Sequence, residues 1–113
     1  MRAARLRRTL EVQRVRREGA SRSDRLYHVA ALATSAHQTR LAISVPARLG
    51  TAVRRNRARR RTRAVFDRLA SRADVSADLL VAVRHPALEA PFDDLERSAA
   101  TLLAQLGVLP VVA

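Results

Sequence analysis

At 113 residues, with a formal net charge of +12 and a pI near 11.9, the chain has the length of one domain and the charge of a polyanion binder. It has no cysteine, which excludes a disulfide framework, a thiolate metal site and a thiol nucleophile. No apolar run approaches the ~18 residues that cross a bilayer, and the basic N-terminus has no apolar h-region, which predicts an intracellular, cytoplasmic protein without a secretory signal.

Residues 1–8 are basic and read as extended. Thr9 caps a predicted helix to about Glu18, stopped by Gly19. Leu6, Leu10, Val12 and Val15 give this region a weak apolar side, with Arg14, Arg16 and Arg17 on another. Gly19 to Ser23 reads as a loop. Leu26 to Ala33 reads as a strand, with Tyr27, Val29 and Ala31 on one face and His28 and Ala30 on the other. Thr34 to Gln38 turn the chain into a second strand, Arg40 to Val45, with Leu41, Ile43 and Val45 on one face. The short connection suggests an antiparallel hairpin, and Pro46 ends the ladder because it has no N–H to donate.

Gly50 is a turn point and Thr51 an N-cap for a long helix over about 53–71. After it, Asp74 and Asp78 are expected to flank a loop. Leu79 to Val83 is a continuous apolar run, which suits a strand covered on both faces. Pro91 followed by Asp93, Asp94 and Glu96 opens a last helix. Phe92, Leu95, Ala99, Leu102 and Leu106 form its core stripe and Gly107 its stop. The tail Leu109–Ala113 carries no assignable signal. No repeat or linker divides the chain, so one domain is expected over 1–113, with an ordered core of roughly residues 6–107.

The charge is concentrated. All 22 basic residues are arginine; 20 lie in residues 1–72 against four acids, whereas residues 73–113 carry two against six. From Arg54 to Arg61 every position except Asn56 and Ala58 is arginine. Like charges at i,i+4, such as Arg55/Arg59, Arg57/Arg61 and Arg59/Arg63, each cost roughly 0.2–0.5 kcal/mol in a helix. A helix made only for solubility would interleave glutamate. A disordered basic run would lack the apolar stripe of Ala58, Thr62, Val65 and Leu69, with Phe66 at its edge. The stretch therefore reads as a folded helix with one side on a core and a broad cationic side turned outward.

Bond-breaking chemistry finds little support. His28, His37 and His85 are isolated and lack metal-ligand spacing. Ser21, Ser23 and Ser44 have no partnered base, and Asp93 and Asp94 are explained by the helix dipole. No Gly-rich phosphate loop precedes a helix. No catalytic residue and no metal site is assigned. What remains is electrostatic neutralisation of phosphates. The sequence has no helix-turn-helix, zinc finger or zipper, so a structured RNA read by shape and backbone fits better than specific DNA.

Arg55-Asn56-Arg57, followed by Arg59-Arg60 and Arg63, preceded by Gly50-Thr51-Ala52-Val53 and ending in Phe66, resembles the RNR signature of the bacterial ribonuclease P protein component. The resemblance covers nearly the whole chain, with Leu6-Arg7-Arg8 and Val15–Gly19 matching the first helix region. Arg40–Val45 and Asp78–Arg84 match the strands before and after the signature, and Phe92–Leu103 the last helix. It implies an α+β fold, a single-domain α-β-β-β-α-β-α sandwich like domain 2 of ribosomal protein S5, with a left-handed βαβ crossover. It implies the protein subunit of an endoribonuclease whose catalytic RNA, using Mg²⁺ held mainly by that RNA, removes the 5′ leader of precursor tRNA. By carry-over, Arg54, Arg55, Asn56, Arg57, Arg59, Arg60, Arg61 and Arg63 contact the catalytic RNA, and Val12, Arg16, Tyr27 and Arg48 border the leader cleft. The implied partners are the catalytic RNA and precursor tRNA, with no membrane and no obligate protein partner. The chain departs from the family in having Val12 and Arg16 where aromatics are usual, Pro46-Ala47-Arg48 for Ser-Lys-Lys, and the small Ala58 and Thr62 at core positions, which suggests marginal stability. A ribosomal or general RNA-binding protein without a processing role is the alternative.

Overall fold

The structure, a computed structural model, describes residues 3–7, 9–36, 38–73 and 75–110. His37, Asp74, Arg8 and the last three residues of the tail lie outside the described residues. Five strands and three helices follow one another as β1 (Ala4–Arg5), α1 (Thr9–Glu18), β2 (Ala20–Ser23), β3 (Tyr27–Ala33), β4 (Arg40–Ser44), α2 (Ala52–Ala70), β5 (Ala77–Val83) and α3 (Phe92–Gln105). Short 3₁₀ turns at Ala47–Leu49 and His85–Leu88 precede α2 and α3. After β1, the order is the α-β-β-β-α-β-α expected for this α+β class.

The strands form one sheet in the order β1-β4-β5-β3-β2. β3 runs antiparallel to β2 and β5, and β4 runs parallel to β5 and β1. The expected β3–β4 hairpin is therefore absent, because β5 lies between them. The linking segment crosses over the start of β5: the Thr34 N–H donates to the Ser76 carbonyl at 3.0 Å, and the Ala77 N–H donates to the Thr39 hydroxyl at 3.2 Å. A wholly apolar strand such as Leu79–Val83 gains most from the centre of a sheet, where both edges are paired and both faces covered. Ala20–Ser23, expected as a loop, pairs with His28–Ala31 as an exposed edge strand. Four exposed polar or small residues in a row carry no alternation signal that would have revealed it.

The two sheet faces meet different helices. Tyr27, Val29, Leu41, Leu79 and Val81 pack on Val65, Phe66 and Leu69 of α2 and Leu95, Ala99 and Leu102 of α3. This is the main core. The predicted stripes of both helices are its inner faces, with Phe92 and Leu106 half-buried at the margin. On the other sheet face, Ala30, Leu32, Ala42 and Leu80 meet Leu6, Val12 and Val15. Leu10, assigned to the apolar side of α1, is instead 79% exposed.

Polar contacts fix the register. The Tyr27 hydroxyl and Thr62 hydroxyl lie 3.0 Å apart in the core, and the Tyr27 ring stands edge-on to Phe66 at 5.6 Å. Thr62 thus gives a buried phenol the partner it needs, which accounts for a polar residue on the inner face of α2. Burial pushes the Tyr27 hydroxyl pKa up. Asp78, expected beside a loop, sits inside β5 and takes a bidentate bond from Arg40 at 2.7 and 2.6 Å. Arg40 also reaches Glu11 at 3.0 Å, so one guanidinium ties α1 to the sheet. These two carboxylates hold the Arg40 pKa above its ordinary value.

Helix ends obey local chemistry. Thr51 caps α2, its hydroxyl accepting from the Arg54 N–H at 3.2 Å. α3 ends in a Schellman motif: Val108 donates to Leu103 at 2.9 Å and Gly107, at φ 78°, donates to Ala104 at 3.1 Å. Gly19 matters for space. A Cβ there would lie 2.6 Å from the Val15 carbonyl oxygen and 2.7 Å from that of Ala31, so α1 reaches β3 this closely only over glycine.

Gly19→Ala is expected to lower unfolding stability by about 1–3 kcal/mol through overpacking, read in urea melts. Asp24 gives a pH-dependent test. Burial raises its pKa, but the hydroxyl of Ser98, the N–H groups of Tyr27 and Leu26, and Arg84 together bring it below the ordinary carboxylate value. A depressed carboxylate stabilises the fold above its unfolded pKa and loses that contribution as pH falls through the folded one. Asp24→Asn should therefore be less stable than wild type near neutral pH, and the gap should narrow on acidification. A gap independent of pH would contradict this.

Candidate nucleic-acid interface

The buried stripe on α2 divides its arginines between two flanks. Asn56, Arg59, Arg60 and Arg63 recur at i, i+3, i+4 and i+7 and face a groove against β1 and β4. Arg54, Arg57 and Arg61 face the segment after β5. There Arg54 pairs with Glu89 at 2.7 Å, and Arg57 and Arg61 approach the Leu88 carbonyl at 3.5 and 3.4 Å. Arg61 also donates to the Ala90 carbonyl. Arg55 turns back to the Gly50 carbonyl at 3.2 Å.

The eight residues carried over from the RNR signature are therefore not equivalent. Arg54, Asn56, Arg57, Arg59 and Arg60 are exposed, whereas Arg55, Arg61 and Arg63 are half-buried. Arg63 donates to the Ala3 carbonyl and lies 3.5 Å from Asp67, which accepts the Ala3 N–H at 3.0 Å. Arg61 and Arg63 thus hold the fold together. Arg57, Arg59 and Arg60 have no carboxylate partner among the described residues. The hydrogen bond from Arg54, with the fields of Arg57 and Arg61, holds the Glu89 carboxyl below its ordinary pKa.

A second concavity lies between α1 and the sheet. It measures about 200 Å³, floored by Gly19, Ala30, Leu80 and Ala82 and edged by Arg16, Ser21, His28 and Ser44. It exists because this sheet face is built largely from alanine, which leaves the space that α1 cannot fill. Of the residues expected at a leader cleft, Arg16 is at its edge and Val12 packs, half-buried, beneath the same helix. Tyr27 is not brought there. It lies fully buried on the opposite sheet face. Adjacent strand residues point to opposite faces, and at this cleft the place belongs to His28. Arg48 is exposed in the turn after β4, beyond the cleft lining. His28 and Ser44 escaped the sequence reading because they have no catalytic partner there; the period-2 alternation of β3 was the available signal. Arg5 and Arg7, at the groove beside α2, were legible only as part of a basic N-terminal run.

The family model described as Ribonuclease P matches residues 1–107. The chain belongs to the ribonuclease P protein family. It is 38% identical over 109 residues to the ribonuclease P protein component of Chloroflexus aggregans, covering 96% of this chain and 81% of that protein. The Chloroflexus aurantiacus counterpart is 36% identical over 110 residues, covering 96% and 82%. The Staphylococcus aureus RNase P protein superposes with a TM-score of 0.83 at 28% identity, covering 96% of this chain and 99% of that one. Family membership gives the chain a role in tRNA 5′ processing as the protein component of an endoribonuclease, partnered by an RNA subunit. Among the described residues no helix is long and apolar enough to cross a membrane.

The division of the arginines predicts a division of phenotypes. Arg57→Ala with Arg60→Ala should leave circular dichroism unchanged and should not lower the melting midpoint, while flattening the slope of log affinity for ribonuclease P RNA against log salt, by about one unit for each phosphate the variant no longer neutralises. Arg61→Ala should instead lower stability by about 1–3 kcal/mol, because it removes the donor to two carbonyls. Equal destabilisation by both changes would contradict the assignment.

Proposed function

We propose that this ribonuclease P protein binds the catalytic RNA through the exposed guanidiniums of α2 and guides the 5′ leader of precursor tRNA along the cleft between α1 and the sheet. In this reading hydrolysis is performed by the RNA and the protein supplies binding and positioning. The observation that carries it is the set Arg57, Arg59 and Arg60, exposed on a well-folded helix and in no ion pair among the described residues. A phosphate backbone is the partner that relieves such a surface, and Arg offers it a planar fork for bidentate contact.

The cleft suits a single strand in extended form. Arg16 and the hydroxyls of Ser21 and Ser44 offer phosphate and sugar contacts, and the alanine floor lets a backbone approach closely. Val12 belongs to the wall beneath, and Arg48, exposed in the following turn, extends the cationic path beyond the cleft.

Mg²⁺ is assigned to the RNA. Asp24, Asp67 and Asp78 accept backbone N–H or guanidinium donors, and no three His or carboxylate side chains converge among the described residues. The engagement of these carboxylates among the described residues supports leaving Mg²⁺ to the RNA. The chain's guanidiniums instead lower phosphate repulsion, so that the RNA holds its ions and substrate at lower free Mg²⁺.

Reconstitution with a cognate ribonuclease P RNA at low Mg²⁺ tests the proposal. Addition of the protein should accelerate leader removal and favour precursor over mature tRNA in binding. An absence of effect on leader removal would overturn it. Binding without preference for a leader would instead favour a general RNA-binding role.

A further inference from the structure

Resting on the RNA-binding reading above, we propose that the groove between β1, the open edge of β4 and α2 takes a single unpaired nucleotide splayed out of the RNA partner. The groove measures about 750 Å³, which is a small-ligand volume. Its floor is apolar, with half-buried Ile43 and exposed Ala64 supplying accessible surface beside the buried Leu41, and Leu6 lines the end where the chain leaves β1. Its rim is cationic, with exposed Arg5 and Arg7 on one side and Arg59 and Arg60 on the other. An apolar floor inside a guanidinium rim matches a ligand that is flat and apolar in the middle and anionic at its ends.

The sheet edge adds recognition. β1 covers only the beginning of β4: its ladder ends at Arg5↔Leu41, and the last bond runs from the Leu6 N–H to the Leu41 carbonyl at 2.9 Å. The chain then leaves for α1. Backbone groups two residues apart on a strand point to the same edge, so Ile43 presents its N–H and carbonyl where Leu41 does. Ile43 has no strand partner on that side among the described residues. An adjacent donor and acceptor beside an apolar floor is the arrangement that pairs with a base edge, while arginine planes stack on its face. A base in an RNA duplex has its Watson–Crick edge paired and its faces stacked, and its remaining edges lie within grooves that a strand edge at the bottom of a cleft does not reach. The groove therefore selects unpaired nucleotides.

The groove is also held open. Asp67 is the one acid in its lining; it accepts the Ala3 N–H and lies 3.5 Å from Arg63, which itself donates to the Ala3 carbonyl. This strap sets the spacing of β1 from α2 before any ligand arrives, and it draws the acid's charge away from an incoming phosphate.

The test uses the full chain and three hairpin RNAs: fully paired, carrying a one-nucleotide bulge, and carrying an abasic bulge of the same backbone. Wild type should bind the bulged hairpin about tenfold or more tighter than the abasic one. Ala64→Leu, which fills the groove from an exposed helix position without changing charge, should abolish that difference. It should leave affinity for the paired hairpin and the salt slope unchanged. A 4-thiouridine at the bulge should crosslink in wild type to the peptide holding Ile43 or Ala64, which decides the matter even if the variant folds poorly. Equal affinity for bulged and abasic hairpins with steep salt dependence, or a crosslink elsewhere, overturns the groove and leaves the RNA-binding reading standing. Failure to bind any hairpin or the ribonuclease P RNA in dilute buffer overturns that reading itself.

Discussion

One constraint governs this molecule: α2 must stay folded while carrying guanidiniums that form no ion pair among the described residues. Repulsion along the helix is offset by burial on its other side. Ala58, Thr62, Val65, Phe66 and Leu69 are all buried, and fully burying a side chain the size of Val65, Phe66 or Leu69 is worth about 1.5–3 kcal/mol. The i,i+4 repulsions cost only tenths each. The balance favours the helix in the free protein, and the residual repulsion is what a polyanion removes on binding. Arginines at the half-buried flanks are stabilised differently. Arg61 and Arg63 donate to backbone carbonyls of the segment before α3 and of Ala3, just ahead of β1, so charge that would only repel becomes a brace between elements.

The sheet converts this helix into a site with two sides. Large aliphatic and aromatic residues cover the face toward α2 and α3, and alanines cover much of the face toward α1. The first face makes the protein stable. The second leaves a cleft, because α1 is held close at Gly19 and at the Arg40–Glu11 ion pair but has little to fill the space between. The shortness of β1 likewise leaves part of the β4 edge unpaired, among the described residues, beside the arginine helix. Exposed strand edges are usually blunted by charge, and here Arg5 and Arg7 do so. Both concavities thus arise where packing stops short, and both are rimmed by arginine.

Much of this was legible in the sequence. The limits of α1, the core stripe of α2, the Thr51 cap and the Gly107 stop follow from local chemistry, which a sequence records directly. Strand pairing did not. Nothing local indicates that β5 inserts between β3 and β4, because that choice depends on where a strand apolar on both faces is best covered. The role of Asp78 was hidden for the same reason, since its partner Arg40 is distant in sequence and adjacent only through the β4–β5 register. At the candidate site, the arginine cluster was unmistakable, but its division into half-buried braces and exposed cations was not. Helical spacing shows which arginines share a flank; it does not show that the Leu88, Ala90 and Ala3 carbonyls lie within reach. Tyr27 was drawn to the cleft by family resemblance, while the alternation of its own strand, with Val29 and Ala31, already put it in the core.

The free protein carries repulsion between guanidiniums that its own fold leaves in place. The thermal midpoint of the RNA-free protein measured against NaCl tests this most directly, because the Debye length falls from about 30 Å at 0.01 M to about 8 Å at 0.15 M. The midpoint should rise over this range as the arginines are screened from one another. A midpoint that stays level or falls would mean that the charges are already balanced within the fold, and would contradict it.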